Sequence, residues 1–425
     1  MHTTRRVRIQ LWALAVLGAS ACGSPSRPPA PAPTPVPERA PPPTARRDSA
    51  RTDSAARVRV APARILPASR LDTIPTRALR APVKVCAAGD VTLGTNLDTA
   101  WLRVASERLR TRFHQSDEPA ALLRPLRPLV ADAQVVLVNV ESAIGEGTTP
   151  SKCGPRSTNC YAFRAPVSSA AALRSLGHTV VGNIANNHAR DAGSAGRDST
   201  IAALARVGVV VTGADTIATA VPTPAGDTIG VLGFYTSDST PDARDTAAVR
   251  RLVERATARY PAVVVTMHLG AEGRDAQRTH DAPERFLGID RGNPVAFAEA
   301  AVRGGAALVV GHGPHVLRAV EWRDRGALIA YSLGNTLTYG PFRLHEPANR
   351  GAVLCATIDR TGRTSAAELR STMQLAPGVL RRDARSRATV LVDSLGRLDF
   401  PATAARVGRD GRLRAREGGA ASSPR

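Results

Sequence analysis

The chain has 425 residues and a formal net charge of +21, which is enough length for one large domain or two ordinary ones. The charge is concentrated at the ends: residues 1–80 carry +10 and residues 360–425 carry +8, which leaves +3 on the centre. Only 4% of the residues are aromatic, and the basic ends hold almost none for stacking on bases. The composition therefore argues against a nucleic-acid-binding protein.

Residues 1–22 have the pattern of an export signal. Three arginines among residues 5–8 precede an apolar stretch at 9–17 that is too short to span a bilayer. The small residues before Cys22 resemble a bacterial lipoprotein signal, in which Cys22 becomes the lipidated first residue. Simple cleavage near Ala21, giving a secreted or periplasmic protein, is the alternative. In both cases the sequence predicts an exported protein, and with the lipid anchor it would be attached to the membrane of the cell envelope.

Composition then divides the remaining chain into three parts. Residues 23–81 are rich in Pro, Ala and Arg and cannot bury a core, so they are predicted to form a disordered, extended linker. Residues 82–400 contain the apolar runs of a folded domain. Residues 401–425 are predicted to be an Arg-rich tail that is mostly disordered.

The folded part alternates helices and strands and then runs into consecutive strands. This order predicts an α/β sandwich with mixed sheets. The predicted helices cover 120–131, 168–176, 194–207, 244–260, 294–303 and 388–395. The predicted strands cover 83–88, 135–141, 179–181, 209–211, 228–234, 262–267, 307–310, 316–322, 327–331 and 352–358.

Polar side chains follow these strands where the strands end. In open α/β sheets the carboxyl ends of the strands face the ligand crevice. Oxygen and nitrogen donors there are typical of a site for one or two divalent ions, whereas ordinary turn chemistry is the alternative for each residue taken alone. An additional histidine beside a ligand suits a general acid. The predicted ligands are Asp90, Glu141, Asn187, His268, His312 and His315, and the predicted acid is His188.

Six ordered segments between Val83 and Asn335 resemble a known family. They read AAGDVTLG, NVESAIGEG, GNIANNHARDAG, HLGAEG, GHGPHVLRAVE and YSLGN. Their order and spacing resemble the CapA capsule-synthesis family, also called the poly-γ-glutamate capsule protein family, which is similar to the calcineurin-like metallophosphoesterases. The resemblance implies a four-layer αββα sandwich with divalent metal ions, such as Mn, Zn or Fe, at the strand ends.

The resemblance also implies roles for individual residues. The six ligands and His188 keep the roles given above, Asp191 supports catalysis, and Asn335 is a supporting residue that contacts substrate. Asn186 is a further predicted substrate contact. The chain departs from the phosphoesterase pattern at Thr92, at Glu141 and in its His-x-x-His motif, so the number of ions stays open. It departs from the capsule family at positions 269, 273 and 336, which indicates a different substrate.

The remaining candidates lie around a short polar loop. Cys153 and Cys160 flank it and are predicted to form a disulfide in an oxidising compartment, with zinc binding as the rival interpretation. Arg164 could bind an anionic substrate group, or it could be a surface arginine near a helix end. Cys86 and Cys355 lie within apolar strands and are predicted to be buried thiols or an interstrand bond.

Two functions remain open from the sequence. The first is a metal-dependent hydrolase of the cell envelope that acts on a phosphoester or on an amide or ester bond of a polymer such as poly-γ-glutamate. The second is a non-catalytic assembly or export factor whose metal site is structural or binds substrate. The expected partners are an anionic envelope polymer or phosphoester substrate, the membrane through a lipid anchor, and capsule-synthesis membrane proteins.

Overall fold

The structure, a computed structural model, describes residues 78–96, 99–146, 161–237, 241–323, 326–340, 342 and 344–416. Cys22, Cys153 and Cys160, the signal segment and most of the linker lie outside the described residues. Among the described residues, no helix combines the length and the apolar character that a membrane span requires.

A ten-stranded mixed sheet forms one half of the fold. Its strands are β1 (Val83–Thr92), β3 (Val135–Val140), β6 (Thr179–Asn183), β7 (Val210–Thr212), β16 (Asn335–Thr338), β17 (Arg350–Ile358), β18 (Thr364–Leu375), β19 (Val379–Arg382), β20 (Arg406–Val407) and β21 (Arg412–Arg414). The order is β20-β21-β18-β17-β1-β3-β6-β7, with β16 beside β1 and β19 beside β18. The half from β1 to β7 is parallel, and the half from β1 to β20 is antiparallel.

A six-stranded mixed sheet forms the other half. Its strands are β8 (Thr219–Pro222), β9 (Thr228–Tyr235), β10 (Val263–His268), β13 (Leu308–His312), β14 (Val320–Arg323) and β15 (Ala327–Ala330), in the order β14-β15-β13-β10-β9-β8. The four inner strands are parallel and the two edge strands antiparallel. Two smaller sheets are formed by β2 (Thr95–Asn96), β4 (Ala143–Ile144) and β5 (Phe163–Ala165), and by β11 (Arg285–Phe286) and β12 (Ile289–Asp290).

The two large sheets pack face to face and helices cover their outer faces. Alternate residues of a strand point to opposite faces, so Val85 of β1 packs with Val264 and Val310 between the sheets, whereas Cys86 packs with the helices outside. The helices on the larger sheet are α1 (Thr99–Phe113), α2 (Pro119–Leu123), α3 (Arg127–Val130), α4 (Ser168–Arg174) and α5 (Gly193–Arg206); those on the smaller are α6 (Thr246–Thr257) and α7 (Pro294–Arg303). The predicted four-layer αββα sandwich is confirmed.

The C-terminal part belongs to the fold further than predicted. Helix α8 (Arg387–Asp399) packs Ala388 and Val392 into the core between the sheets. After it, β20 and β21 extend the larger sheet and bury Leu413 in the same core. The described domain therefore extends beyond the predicted end at residue 400, because β21 at the sheet edge ends at Arg414. Helix α1 and strand β18 were also missing from the prediction.

Cys86 and Cys355 form a disulfide with an S–S distance of 2.08 Å. The two residues are direct cross-strand partners in the antiparallel pair of β1 and β17. Of the two alternatives that the sequence left open, the interstrand bond is the one found. The bond ties the strand that carries Asp90 to the C-terminal half of the sheet.

Candidate metal centre

Four polar residues from both large sheets meet where the carboxyl ends of the parallel strands come together. Asp90 lies near the end of β1, and Glu141 directly follows β3. His268 and His312 end β10 and β13 and are cross-strand partners in the other sheet. All four side chains are buried. Because the two sheets pack face to face, one edge of each contributes to the same crevice.

The distances bring five of the six predicted ligands into one cluster. One donor atom from each of Asp90, Glu141 and His268 lies within 4.8 Å of the other two. His312 Nδ1 lies 3.6 Å from Asp90 Oδ1. His315, in the left-handed backbone region with φ of 58°, places Nδ1 3.0 Å from Asp90 Oδ2 and Nε2 3.6 Å from Glu141 Oε1. The cluster therefore offers two carboxylates and three imidazoles.

The donor atoms of this cluster fit a divalent metal ion. Glu141 Oε1, His268 Nε2 and both ring nitrogens of His312 are buried and make no hydrogen bond within the described part of the chain. A buried polar group left unsatisfied costs about 1–3 kcal/mol, so several together are unfavourable unless another species binds them. Carboxylate oxygens and imidazole nitrogens are the ligands that Mn, Zn and Fe ions accept.

The protonation states of His268, His312 and Asp90 suit that ion. Burial lowers the pKa of His268 well below its ordinary value and lowers the pKa of His312 to about 4, so both rings are neutral near pH 7. Burial would raise the pKa of Asp90, but the hydrogen bond with His315 and the positive charge of that ring hold it below its ordinary value. Burial raises the pKa of Glu141 well above its usual range, and the Asp90 charge adds to this.

His188 lies beside the cluster and is oriented by Asp191. It follows β6 in the turn that leads to α5, and its Nδ1 lies 2.5 Å from Asp191 Oδ2. The same Asp191 oxygen accepts a hydrogen bond from the Phe163 backbone N–H at 2.7 Å. The other ring nitrogen, Nε2, lies 4.0 Å from Glu141 Oε1. Asn187, the sixth predicted ligand, lies partly buried in the same turn, one residue before His188.

Asn139, one residue before the end of the otherwise apolar β3, was missing from the predicted site residues. Its Nδ2 donates to Asp90 Oδ1 at 2.8 Å and lies 3.2 Å from His268 Nδ1. Its Oδ1 accepts hydrogen bonds from Asn183 at 2.9 Å and from Asn186 at 3.1 Å. The signal in the sequence is one amide within the run of valine and leucine from 135 to 140. Asn139 therefore joins the ligands of the two sheets.

Asn186 was predicted to contact substrate, and the structure assigns it an internal role. Its Nδ2 donates to Asn139 Oδ1 and to the Val140 carbonyl, and its Oδ1 accepts from the His188 backbone N–H. It is 4% exposed. Since these bonds occupy both ends of the amide, Asn186 shapes the turn that carries His188.

Asn335 has two roles in the structure. Its Oδ1 lies 3.0 Å from His315 Nδ1, and its Nδ2 donates to the His315 and Ala348 carbonyls at 3.3 Å each. It also lines the cavity above the cluster, so it remains placed to meet a substrate. Its hydrogen bonds hold His315 in position.

Glu272 and Arg291, from the long connection after β10, were not predicted. Glu272 Oε2 lies 3.8 Å from His315 Nε2, and Glu272 Oε1 lies 3.1 Å from Arg291 Nη2. The connection is held by Arg318, whose guanidinium donates to both Glu284 oxygens at 2.8 and 2.7 Å. The signal was an acidic residue four positions after His268.

A cavity of about 560 Å³ opens above the cluster. The metal cluster forms its floor, where Glu141 and His315 reach the cavity lining, and His188 and Phe163 line one side. Arg164, the next residue of β5, is exposed and lines a separate groove with Leu93, Pro166 and Tyr339. Arg164 therefore lies on the other side of β5 from the cavity, because adjacent residues of a strand point to opposite faces, and this favours the surface-arginine alternative.

The fold and the cluster define an α/β sandwich protein with a candidate divalent-metal centre at its strand ends. The model of the family described as bacterial capsule synthesis protein PGA_cap matches residues 84–339. The chain belongs to this family, as its six motifs predicted. No curated protein sequence is significantly similar to the chain.

One solved structure that is similar to the chain is a 5'-nucleotidase precursor from Thermus thermophilus. It is 13% identical to the chain, with a TM-score of 0.35, and the match covers 76% of this chain. The match spans 59% of the length of the nucleotidase precursor. A likeness of this size carries no information about activity.

Proposed function

We propose that this capsule-synthesis family protein is a metal-dependent hydrolase of the cell envelope. The observation that carries the proposal is the convergence of Asp90, Glu141, His268, His312 and His315, with unsatisfied buried atoms, next to a histidine that is paired with its own carboxylate. The substrate would be a phosphoester or an amide or ester bond of a capsule polymer such as poly-γ-glutamate.

The five clustered residues, with Asn187, would hold one or two divalent ions such as Mn, Zn or Fe. When bound, such an ion polarises a substrate oxygen and lowers the pKa of a bound water. The protein holds the donors before the ion arrives, because Asn139 and Asn335 fix Asp90 and His315 through hydrogen bonds. Such outer hydrogen bonds orient metal ligands and tune their affinity.

His188 would donate the proton to the leaving atom. In the hydrolysis, the water oxygen bonds to the phosphorus or carbonyl carbon and the water gives up a proton to solvent. The bond to the leaving oxygen or nitrogen breaks with its electron pair. That atom then takes a proton from His188 Nε2, which faces the cavity floor while Nδ1 is held by Asp191. The Asp191 carboxylate would stabilise the protonated ring that must form before this transfer.

Export and lipid attachment at Cys22 are part of the same proposal. The Cys86–Cys355 bond supports it, since buried structural disulfides are typical of proteins outside the cytoplasm. The anchored protein would work on envelope polymer beside capsule-synthesis membrane proteins. Localisation of a tagged chain, with Cys22→Ser as the control, tests this part: release of the variant from the membrane fraction is expected.

The experiment for the catalytic part is hydrolysis by purified protein loaded with Mn²⁺ or Zn²⁺. A generic phosphodiester and poly-γ-glutamate are the substrates, and metal content is measured in the same samples. Turnover that requires the metal supports the hydrolase. Full metal content with no turnover on any such substrate would favour the assembly or export factor instead.

A further inference from the structure

Three aromatic side chains form one wall of the cavity. The ring centroids of Tyr161 and Phe163 lie 6.2 Å apart in a stacked arrangement. Phe342 lies 5.6 Å from Tyr161 and meets Phe163 edge-on at 5.7 Å. Leu344 and Ala348 line the cavity beside them. This aromatic wall, defined by Tyr161, Phe163 and Phe342, is an apolar surface next to a polar floor.

The aromatic wall lies on the side of His188. The Phe163 ring is 4.5 Å from the His188 ring, with 34° between their planes. The Phe163 backbone N–H also donates to Asp191, the carboxylate that holds His188. A general acid acts on the atom that leaves. The wall therefore adjoins the leaving group of the substrate, while the floor faces the group that stays at the metal centre.

The charge of the cavity lining limits what this leaving group can be. Among the described lining residues, the ionisable side chains are Glu141, Glu272, His188 and His315 beside the phenol of Tyr161, and none is lysine or arginine. Arg291, which contacts Glu272, is only 3% exposed. A leaving segment rich in carboxylates would meet the Glu272 charge, and like charges repel. An uncharged group with an apolar face avoids this cost.

We propose that the leaving group of the natural substrate carries an uncharged ring with an apolar face, a sugar or an aryl group, which packs against Phe163 and Phe342. The proposal rests on the hydrolase function above and narrows its substrate class. Phe163 and Phe342 then determine specificity, whereas the floor supplies the chemistry. The faces of rings pack favourably on aromatic side chains. The aromatic wall should therefore bind a ring-bearing leaving group more tightly than a flexible chain of the same polarity.

Equilibrium binding of phosphonates to purified full-length protein loaded with Mn²⁺ tests this. Methyl-, phenyl- and cyclohexylphosphonate share the oxyanion but carry no ring, an aromatic ring and a saturated ring, respectively. Their carbon–phosphorus bonds are not expected to be cleaved. We expect a ring phosphonate to bind about tenfold tighter than methylphosphonate by calorimetry. A preference for phenyl indicates an aryl group, and one for cyclohexyl indicates a sugar-like ring. In Phe163→Ala and Phe342→Ala the preference should fall below about threefold.

Phe163→Leu keeps the apolar bulk and serves as the control in case the alanine variants misfold. It should lose part of the preference for the ring phosphonates while its circular dichroism stays unchanged. Arg164→Ala, the neighbouring position facing the separate groove, should keep the full preference. A ratio near one in the wild type, a preference that survives in both phenylalanine variants, or tighter binding of a γ-linked glutamate tripeptide would overturn the proposal. If the metal-loaded wild type bound none of the phosphonates, methylphosphonate included, that result would instead contradict the metal-dependent hydrolase.

Discussion

The floor and the aromatic wall of the cavity are built in different ways. The floor consists of residues at the ends of β1, β10 and β13, where strand pairing fixes each position. The wall comes from a three-residue strand and from connections, with Phe342 placed four residues after β16 ends. In this protein the sheets hold the reactive groups and the connections shape the space for the substrate, a division that lets specificity change without disturbing the chemistry.

The largest effect is expected from removing a charge from the floor. Asp90→Asn keeps the size of a fully buried side chain but removes the charge that faces three histidines. We expect metal affinity to fall at least about 100-fold, because a ligand contributes more than the outer contacts that tune it. Metal analysis of the purified variant measures this. Asp198→Asn, at an exposed position of α5, is the control, and a wild-type metal content in Asp90→Asn would show that the floor is not the metal site.

The next change distinguishes the role of His188 as a general acid from that of the metal ligands. His188→Ala should lower the rate of hydrolysis by about 10²- to 10⁴-fold, the usual contribution of a general acid, with metal content unchanged. Asp191→Asn should cost less, because the ring remains and only its orientation and charge partner are lost. His178→Ala, on the surface before β6, is the matched control. Loss of metal in His188→Ala would make it a ligand instead.

The third change should destabilise the connection after β10 without removing metal from the floor. Arg318 is 1% exposed, so Arg318→Met leaves Glu284 without its cation and should cost about 3 kcal/mol. We expect faster hydrogen exchange in residues 271–292 while metal content is retained. Arg303→Met, which breaks an exposed pair with Glu299, should change neither quantity measurably. Metal loss in Arg318→Met would mean that floor and connection form one cooperative unit.

The smallest effect concerns an ion cluster on the larger sheet, away from the cavity. Hydrogen bonds from Arg370 lower the pKa of Asp132; for Glu368, burial raises the pKa, but the bonds from Arg370 and Lys84 outweigh it. A lowered carboxylate pKa stabilises the fold above about pH 4 and loses that contribution as the pH falls.

Because the Asp132 side chain is 51% exposed, its share should be about 1 kcal/mol or less. Urea unfolding of wild type and Asp132→Asn measures it. The difference in unfolding free energy should be present at pH 7 and should shrink as the pH is lowered toward 3. An equal difference at both pH values would contradict a charge effect.

The parts of the fold with strong local signals were predicted from the sequence. Helix α7 has the predicted bounds because Asn293 caps it, accepting from the Val295 and Ala296 N–H groups, and Pro294 opens it. Strand β18 was missed because TSAAELRSTMQL has neither a β-branched run nor clean alternation. Its strand conformation depends on pairing with β17, β19 and β21, and these pairings are not visible in the local sequence.

The residues of the candidate site also fall into those that the sequence could predict and those that it could not. Donors that follow apolar strands were predictable, because strand ends are visible and their meeting point follows from the sheet. Asn139 was not, since a polar residue inside a strand gives no sign of what it faces. Arg164 and Phe163 are neighbours in β5, and a difference of one residue in a strand exchanges the two faces, so the sequence could not show which of them lines the cavity. Glu272 lies in an irregular connection, whose course no local pattern fixes.

The Cys86–Cys355 bond spans 269 positions, and every residue proposed here for the metal centre and the aromatic wall lies between its two ends. A protease that cuts one exposed loop inside this ring leaves both fragments covalently joined. The strand that bears Asp90 then cannot diffuse away from the strands that bear His268 and His312. A nicked molecule would therefore keep its centre assembled, and only a second cut or reduction of the bond would release a fragment.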